Sequence, residues 1–233
     1  LNGERLLNTG PARPPIAIDG PAVSGKSSVG RSLASHIGYR FLDTGLMYRA
    51  ATWNAIKKDV DVNDPVAVAQ AAERMDFAVS NGETGVNLIV VNGEDVTKYL
   101  HAPVVDDSVS SVASVGRVRE IMVAEQRKLA SGGAIVMVGR DIGTVVIPEA
   151  PLKIYLTATV RTRANRRHRD FIAEGTEIEF EDILRSMEQR DLIDSSRENS
   201  PLRPADDARI VDTDDLTFDE VVNHLVELAK DVL

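Results

Sequence analysis

Ile16-Ala17-Ile18-Asp19-Gly20-Pro21-Ala22-Val23-Ser24-Gly25-Lys26-Ser27 joins a short apolar run to a glycine-bounded loop, and a helical stripe follows at Val29, Leu33 and Ile37. The apolar run suits a buried strand of a parallel sheet. The stripe recurs at i, i+4 and i+8, and Gly38 supplies a C-terminal stop. Between them, Gly20 to Ser27 fits G-x-x-x-x-G-K-[ST] at every fixed position, in the strand-loop-helix setting that motif needs. Backbone N–H groups of Gly20, Pro21, Ala22, Val23, Ser24 and Gly25, proline excepted, and of the helix start at Lys26, Ser27 and Ser28 are placed to close around phosphate oxygens. Lys26 is expected to reach the outer phosphates and Ser27 to hold Mg²⁺ through its hydroxyl. A bare glycine turn would explain the loop but not the lysine and serine together.

Outward from the loop, strand and helix alternate. Expected elements are a strand at Tyr39–Leu42, helices at Leu46–Lys58 and from Asp64-Pro65 through Met75, a helix at Arg117–Ser131, and a strand at Ala134–Val138. A strand at Leu152–Leu156, helices at Val160–Glu174 and Phe180–Arg190, a strand at Ala208–Val211 and a C-terminal helix complete the series. Two β-prone runs, Asp76–Ser80 and Val86–Val91, flank Asn81-Gly82-Glu83-Thr84-Gly85 and read as a small antiparallel patch. The expectation is an α/β fold with a five-stranded parallel sheet, helices on both faces and an insert at 70–110. Residues 1–14, rich in Asn, Gly, Arg and Pro and lacking an initial Met, read as a flexible leader.

Across 233 residues, 36 acidic against 27 basic side chains give a net charge of -9, which disfavours binding to a nucleic acid polymer. With no cysteine there are no disulfides or thiolate metal sites. No apolar run is long enough to cross a bilayer. A cytoplasmic protein, with no membrane partner and acting as a monomer, is the expectation.

A second cluster, Asp43-Thr44-Gly45-Leu46-Met47-Tyr48-Arg49, follows the second strand and so shares the carboxyl edge of the sheet with the loop, where open α/β sheets bind ligands. Asp-Thr-Gly also occurs in aspartic proteases, but those are all-β and need two such loops. No N-K-x-D segment is present to read guanine, which argues against a switch GTPase.

Taken with Arg117-Val118-Arg119-Glu120, Gly139-Arg140-Asp141-Ile142-Gly143-Thr144-Val145-Val146 and Arg190-Asp191-x-x-Asp194-x-x-Arg197 before Pro201-Leu202, these segments resemble the bacterial cytidylate kinases. The match is colinear from about residue 16 to the C-terminus. It departs at Leu46, at Ile147 and in the bulkier Ala22-Val23-Ser24 of the loop. The resemblance implies a P-loop three-layer fold: a kinase core at 15–69 and 111–233, an NMP-binding insert at 70–110 and a short lid at about 160–180. It implies ATP as donor, Mg²⁺ as cofactor and CMP or dCMP as acceptor.

Residue by residue, the resemblance implies that Thr44, Arg49, Arg140, Arg190 and Arg197 surround the acceptor phosphate and the transferring group, with Asp43 and Tyr48 among the substrate-binding residues. Ser110, Arg119 and Asp141 would face the cytosine, and Asp194 the sugar hydroxyl. Arginine suits the first task because its planar fork binds phosphate oxygens in pairs. A carboxylate at Asp141 suits the second, since it accepts from the exocyclic amine of cytosine and is mismatched to the uracil carbonyl. Arg119 and Arg127 could instead pair with Glu120 and Glu125 along a solvated helix. Arg161, Arg163, Arg166, Arg167 and Arg169 form the densest basic cluster, at the expected lid, and Arg163 and Arg166 are the candidates to close on ATP. Lys26, Arg140, Arg190, Arg197 and Arg166 would carry the rate by positioning and charge neutralisation. Shikimate kinase, a uridylate/cytidylate kinase of the adenylate kinase branch and a non-catalytic nucleotide sensor are the alternatives.

Overall fold

Alternation of strand and helix builds the expected parallel sheet in the computed structural model of the chain, which describes residues 13–82 and 85–233. In order, the elements begin with β1 (Ile16–Asp19), α1 (Lys26–Ile37), β2 (Arg40–Asp43), α2 (Gly45–Lys57), α3 (Pro65–Glu73), β3 (Phe77–Asn81), β4 (Asn87–Val91) and β5 (Glu94–Asp95). They continue through α4 (Pro103–Ser114), α5 (Gly116–Ala130), β6 (Ile135–Gly139), β7 (Leu152–Thr157), α6 (Val160–Ala173), α7 (Phe180–Ser196), β8 (Arg209–Asp212) and α8 (Phe218–Lys230).

The main sheet runs β2-β6-β1-β7-β8, all parallel, with Ile16 opposite Val136 on one side and Leu152 on the other. Alternate side chains divide between two cores, as period-2 geometry requires. Ile16, Ile18, Phe41, Val136 and Val138 pack with Leu33 of α1 and Val222 and Leu225 of α8. Ala17, Leu42, Ile135 and Met137 pack on the opposite face with Met47 of α2 and Met122 of α5. Burying each large aliphatic chain contributes about 1.5–3 kcal/mol, and both faces of the sheet are thereby covered. Among the described residues no helix is long and apolar enough to cross a membrane.

Helix ends follow their local chemistry. Asp64 caps α3 by accepting from the N–H groups of Val66 and Ala67, with Pro65 at the first helical position. A second, antiparallel sheet β3-β4-β5 lies within the expected insert span. It is tied to the main sheet by the buried Asn87, whose amide donates to Phe41 O at 2.7 Å and accepts from Asp43 N at 2.8 Å.

Several expectations are corrected. Helix α4 was not anticipated and runs across the expected boundary at 110/111. Its apolar residues Val105, Val109 and Val112 make one buried stripe, and Pro103 opens it. Helix α7 does not stop at Arg190 but continues to Ser196, which keeps Asp194 on the same rigid element. The leader expectation at 1–12, and part of the turn expected at 81–85, lie outside the described residues. Arg13, also counted as leader, is anchored: its guanidinium donates to Ile37 O at 2.7 Å, and its own carbonyl accepts from Ala134 N at 2.7 Å.

Candidate active site

The loop after β1 is built around backbone crowding. A Cβ on Gly20 would fall 2.1 Å from Leu156 O, so the chain turns there only as glycine. Val23 adopts φ 58°, a region that β-branched residues rarely enter, and its side chain packs against the cluster of Ala164, Ile183 and Met187 from the α6–α7 pair. Gly25 is left-handed at φ 88° and precedes α1, whose first residues are Lys26 and Ser27. Lys26 is buried and donates to Pro21 O at 2.8 Å. Ser27 Oγ donates to Asp43 Oδ2 at 2.5 Å, which sets a hydroxyl and a carboxylate side by side at the ends of β1 and β2. Ser28 points to solvent and takes no part in the cavity.

From this loop a cavity of about 640 Å³ extends between α2, α4, α6 and α7. A smaller recess continues it toward Tyr48, Arg119, Asp141 and Asp194, and the two share Asp43, Arg49, Ser110, Arg140 and Arg190. Arg49 donates to Leu100 O at 2.9 Å and to Asp106 Oδ1 at 2.5 Å. Arg140 Nε donates to Asp194 Oδ2 at 2.9 Å, and Arg197 approaches the other oxygen of Asp194 at 3.8 Å. Arg190 projects from α7 and its buried Nε has no partner among the described residues.

The electrostatics are those of cations gathered out of water. Burial, and then the neighbouring Arg140, holds the Lys26 ammonium well below its ordinary range. Burial, with Arg140 and Arg49 close by, pulls the Arg190 guanidinium down to about 10. Burial alone would raise Asp194, but Arg140 and Arg197 keep it below the usual carboxylate range. In a chain of net charge -9, one cleft thus gathers Lys26, Arg49, Arg140, Arg167 and Arg190, interleaved with the carboxylates of Asp43 and Asp106.

At the far end Arg119 and Asp141 form a buried ion pair, and Arg119 also donates to Ala113 O at 3.1 Å. Its guanidinium lies 5.1 Å from the centre of the Tyr48 ring. Arg119 thus does not pair with Glu120, which instead accepts from Arg117 at 2.9 Å. Nor is Arg127 paired with Glu125: it donates to the carbonyls of Val145 and Val146 at 2.7 and 3.2 Å. Ser110, on α4, lines both parts of the cavity beside this pair.

Thr44 lines the smaller recess, while Arg163 and Arg166 sit differently from expectation. Thr44 is buried and its hydroxyl donates to Val138 O at 2.9 Å, which locks the loop to the sheet edge. Arg163 lies beneath the phosphate loop and not over the cavity, donating to Ala22 O at 3.1 Å and to both oxygens of Asp191. Arg166 is held at the end of β8 by Thr213, through Oγ1 at 3.1 Å and O at 2.6 Å. The lid arginine that does line the cavity is Arg167, which reaches Asp106 Oδ2 at 3.6 Å. Helical spacing alone does not separate them, because Arg166 and Arg167 lie about 60° and about 40° to either side of Arg163; they part by the neighbour each meets, Thr213 for Arg166 and Asp106 for Arg167. Asp106 and Asn87 were missed. The unread apolar stripe of α4 is the signal that would have put Asp106 and Ser110 on one face, four residues apart.

The family model for Cytidylate kinase matches residues 16–231. A Cytidylate kinase of Rhodococcus opacus (strain B4) is 46% identical over 217 residues, covering 93% of this chain and 94% of that one. A Cytidylate kinase of Caldanaerobacter subterraneus subsp. tengcongensis is 42% identical over 215 residues, with coverage of 92% and 94%. Among solved structures, an uncharacterized protein from Eubacterium ventriosum superposes with a TM-score of 0.50 at 15% identity, over 94% of this chain and 99% of that one, a likeness of fold alone. The family match takes in the phosphate loop, the cation-lined cavity and both helices beside it, and the chain belongs to the cytidylate kinase family.

Proposed function

We propose that the chain transfers the γ-phosphoryl group of ATP to CMP or dCMP, giving ADP and CDP or dCDP. The observation that carries this reading is one continuous cavity with a phosphate loop at one end, buried cations in the middle and the Arg119–Asp141 pair at the other. The loop and Lys26 would take the donor phosphates. Arg49, Arg140 and Arg190 would take the acceptor phosphate and the transferring group, and anionic phosphates there relieve the repulsion among these cations. One oxygen of Asp141 is engaged by Arg119, which leaves the other to accept from the cytosine amine. Asp194, already bonded to Arg140, is placed for a sugar hydroxyl.

Magnesium is a hard cation that takes oxygen ligands and usually binds through one or two carboxylates plus substrate phosphates. The adjoining Ser27 hydroxyl and Asp43 carboxylate fit that pattern, and the ion would supply charge neutralisation between the outer phosphates. The attacking oxygen belongs to an already ionised phosphate, so the chain has only to orient it and exclude water. Arg167, with Phe171 and Ile178, borders the cavity from the lid side and would close over the transferring group. We further propose that the chain acts as a monomer in the cytoplasm, where its nucleotide substrates are met.

Replacing Lys26 tests the phosphate site. Lys26→Ala, checked for native folding by circular dichroism, is expected to lose at least about a hundredfold in kcat for ADP release with CMP. Normal turnover by that variant would overturn the assignment.

A further inference from the structure

Between β6 and β7 the chain makes a turn that neither an α-helix nor a simple loop describes. Residues Ile142–Val146 close i→i+5 hydrogen bonds, Val146 N to Asp141 O at 3.2 Å and Ile147 N to Ile142 O at 2.8 Å. Such π-type turns are rare and leave their first N–H groups without an internal partner. Here the two orphan donors are taken by one side chain. Ile142 N donates to Asp19 Oδ1 at 2.8 Å and Gly143 N to Asp19 Oδ2 at 2.7 Å. At the other end Arg127 satisfies the carbonyls of Val145 and Val146.

Asp19 is the last residue of β1, immediately before Gly20 of the phosphate loop, and is almost wholly buried. Arg140 and Asp141 immediately precede the two N–H groups that it holds. We infer, resting on the acceptor reading above, that Asp19 is a positioning residue: by clamping the N–H groups of Ile142 and Gly143 it fixes Arg140 toward the acceptor phosphate and Asp141 toward the acceptor base. It thereby references the acceptor end of the site to the strand that carries the donor loop. Fitting space at Gly143 reinforces the clamp, since a Cβ there would meet Lys153 Cδ at 3.2 Å and Asp19 Oδ2 at 3.4 Å.

A residue kept only for stability would be a poor choice here. Burial pushes the Asp19 carboxyl up to about 6, against the lowering effect of the Gly143 and Ile142 N–H groups. A carboxylate raised in the folded state binds its proton more readily there than when unfolded, so its ionisation lowers stability as pH rises through about 4 to 6. At neutral pH the fold carries this cost and keeps an anion beneath the turn. Facing it are Lys26 from α1, Asp141 from the turn itself and Tyr155 from β7. Lys153, packed on Gly143, is occupied by Asp207 at 2.7 Å. Below about pH 6 the carboxyl becomes neutral, and one of the two clamped N–H groups then meets a hydroxyl oxygen, a weaker acceptor than a carboxylate.

The test is Asp19→Asn, compared with the unaltered protein for KM and kcat toward CMP and ATP and for the ratio of kcat/KM between CMP and UMP. Wild-type turnover of CMP first establishes the acceptor reading; its absence would overturn that reading and this inference with it, whereas the outcomes below overturn the inference alone. The variant is expected to raise the KM for CMP by about tenfold or more and to shrink the preference for CMP over UMP. The KM for ATP should stay within about twofold and Tm within about 4 °C, the shift of a single kcal/mol for a chain of this size. Equal losses toward both substrates, or unchanged acceptor parameters, would overturn it. A measurement on the unaltered protein guards against a variant that does not fold. CMP and UMP carry the same phosphate monoester, which titrates in one range for both, so the ratio of KM for CMP to KM for UMP isolates the protein. That ratio should rise as pH falls through about 6, whereas protonation of His101, another cavity residue, adds positive charge for both nucleotides alike and leaves it unmoved. A flat or falling ratio contradicts the proposal.

Discussion

Asp141 and Arg119 set the chemistry at the scale of single residues. Each is buried, each partners the other, and the remaining carboxylate oxygen is an acceptor that only a donor-bearing base edge can fill. Asp141→Asn replaces that acceptor by a group that can also donate, so a uracil carbonyl is no longer refused. Its kcat/KM preference for CMP over UMP should fall by about tenfold or more, in line with the roughly 1–3 kcal/mol that a correct edge contact is worth. An undiminished preference would remove Asp141 from base recognition. Lys26 was legible because the spacing of the phosphate loop pins it to the carboxyl edge of the sheet, whereas Arg140, Asp141 and Asp194 were legible only through the resemblance of their segments to the family. The lid arginines were not. Arg163, Arg166 and Arg167 are equivalent as letters, and only the rotation of α6 against the core decides that Arg167 lines the cavity.

Elements show the same division between local and tertiary causes. Asp64-Pro65 and Gly38 marked helix ends correctly because capping is a property of neighbouring residues. Helix α4 and the π-type turn at Ile142–Val146 went unread: the first is opened by Ala102-Pro103 with no side-chain cap, and the second is held by Asp19 and Arg127, both remote in sequence. At the C-terminal end Thr217 and Glu220 form a reciprocal capping box on α8, whose Val221, Val222 and Leu225 cover one face of the sheet. Thr217→Ala should therefore cost about 1 kcal/mol and lower Tm by about 2–4 °C. The box lies away from the cavity, so kcat and KM should not move. A lost activity at unchanged Tm would mean that α8 has a role beyond packing.

For the molecule as a whole, the sheet order β2-β6-β1-β7-β8 brings the ends of β1, β2 and β6 side by side. That placement lets Lys26, Asp43 and Arg140, distant in the chain, meet around one cavity in an otherwise acidic protein. The parallel sheet and its phosphate loop could be read from alternating apolar runs, because those runs report burial directly. How the lid and α4 face each other could not, because it depends on contacts such as Arg167 with Asp106 across the cleft. The central claim is phosphoryl transfer to a cytosine nucleotide, and the direct measurement is ADP formation from ATP and Mg²⁺ with CMP, dCMP, UMP, AMP, GMP, shikimate or no acceptor. Strong ADP formation with CMP and dCMP, weak with UMP and absent without acceptor is the predicted result. Equal turnover with another acceptor, or turnover that needs none, would contradict it.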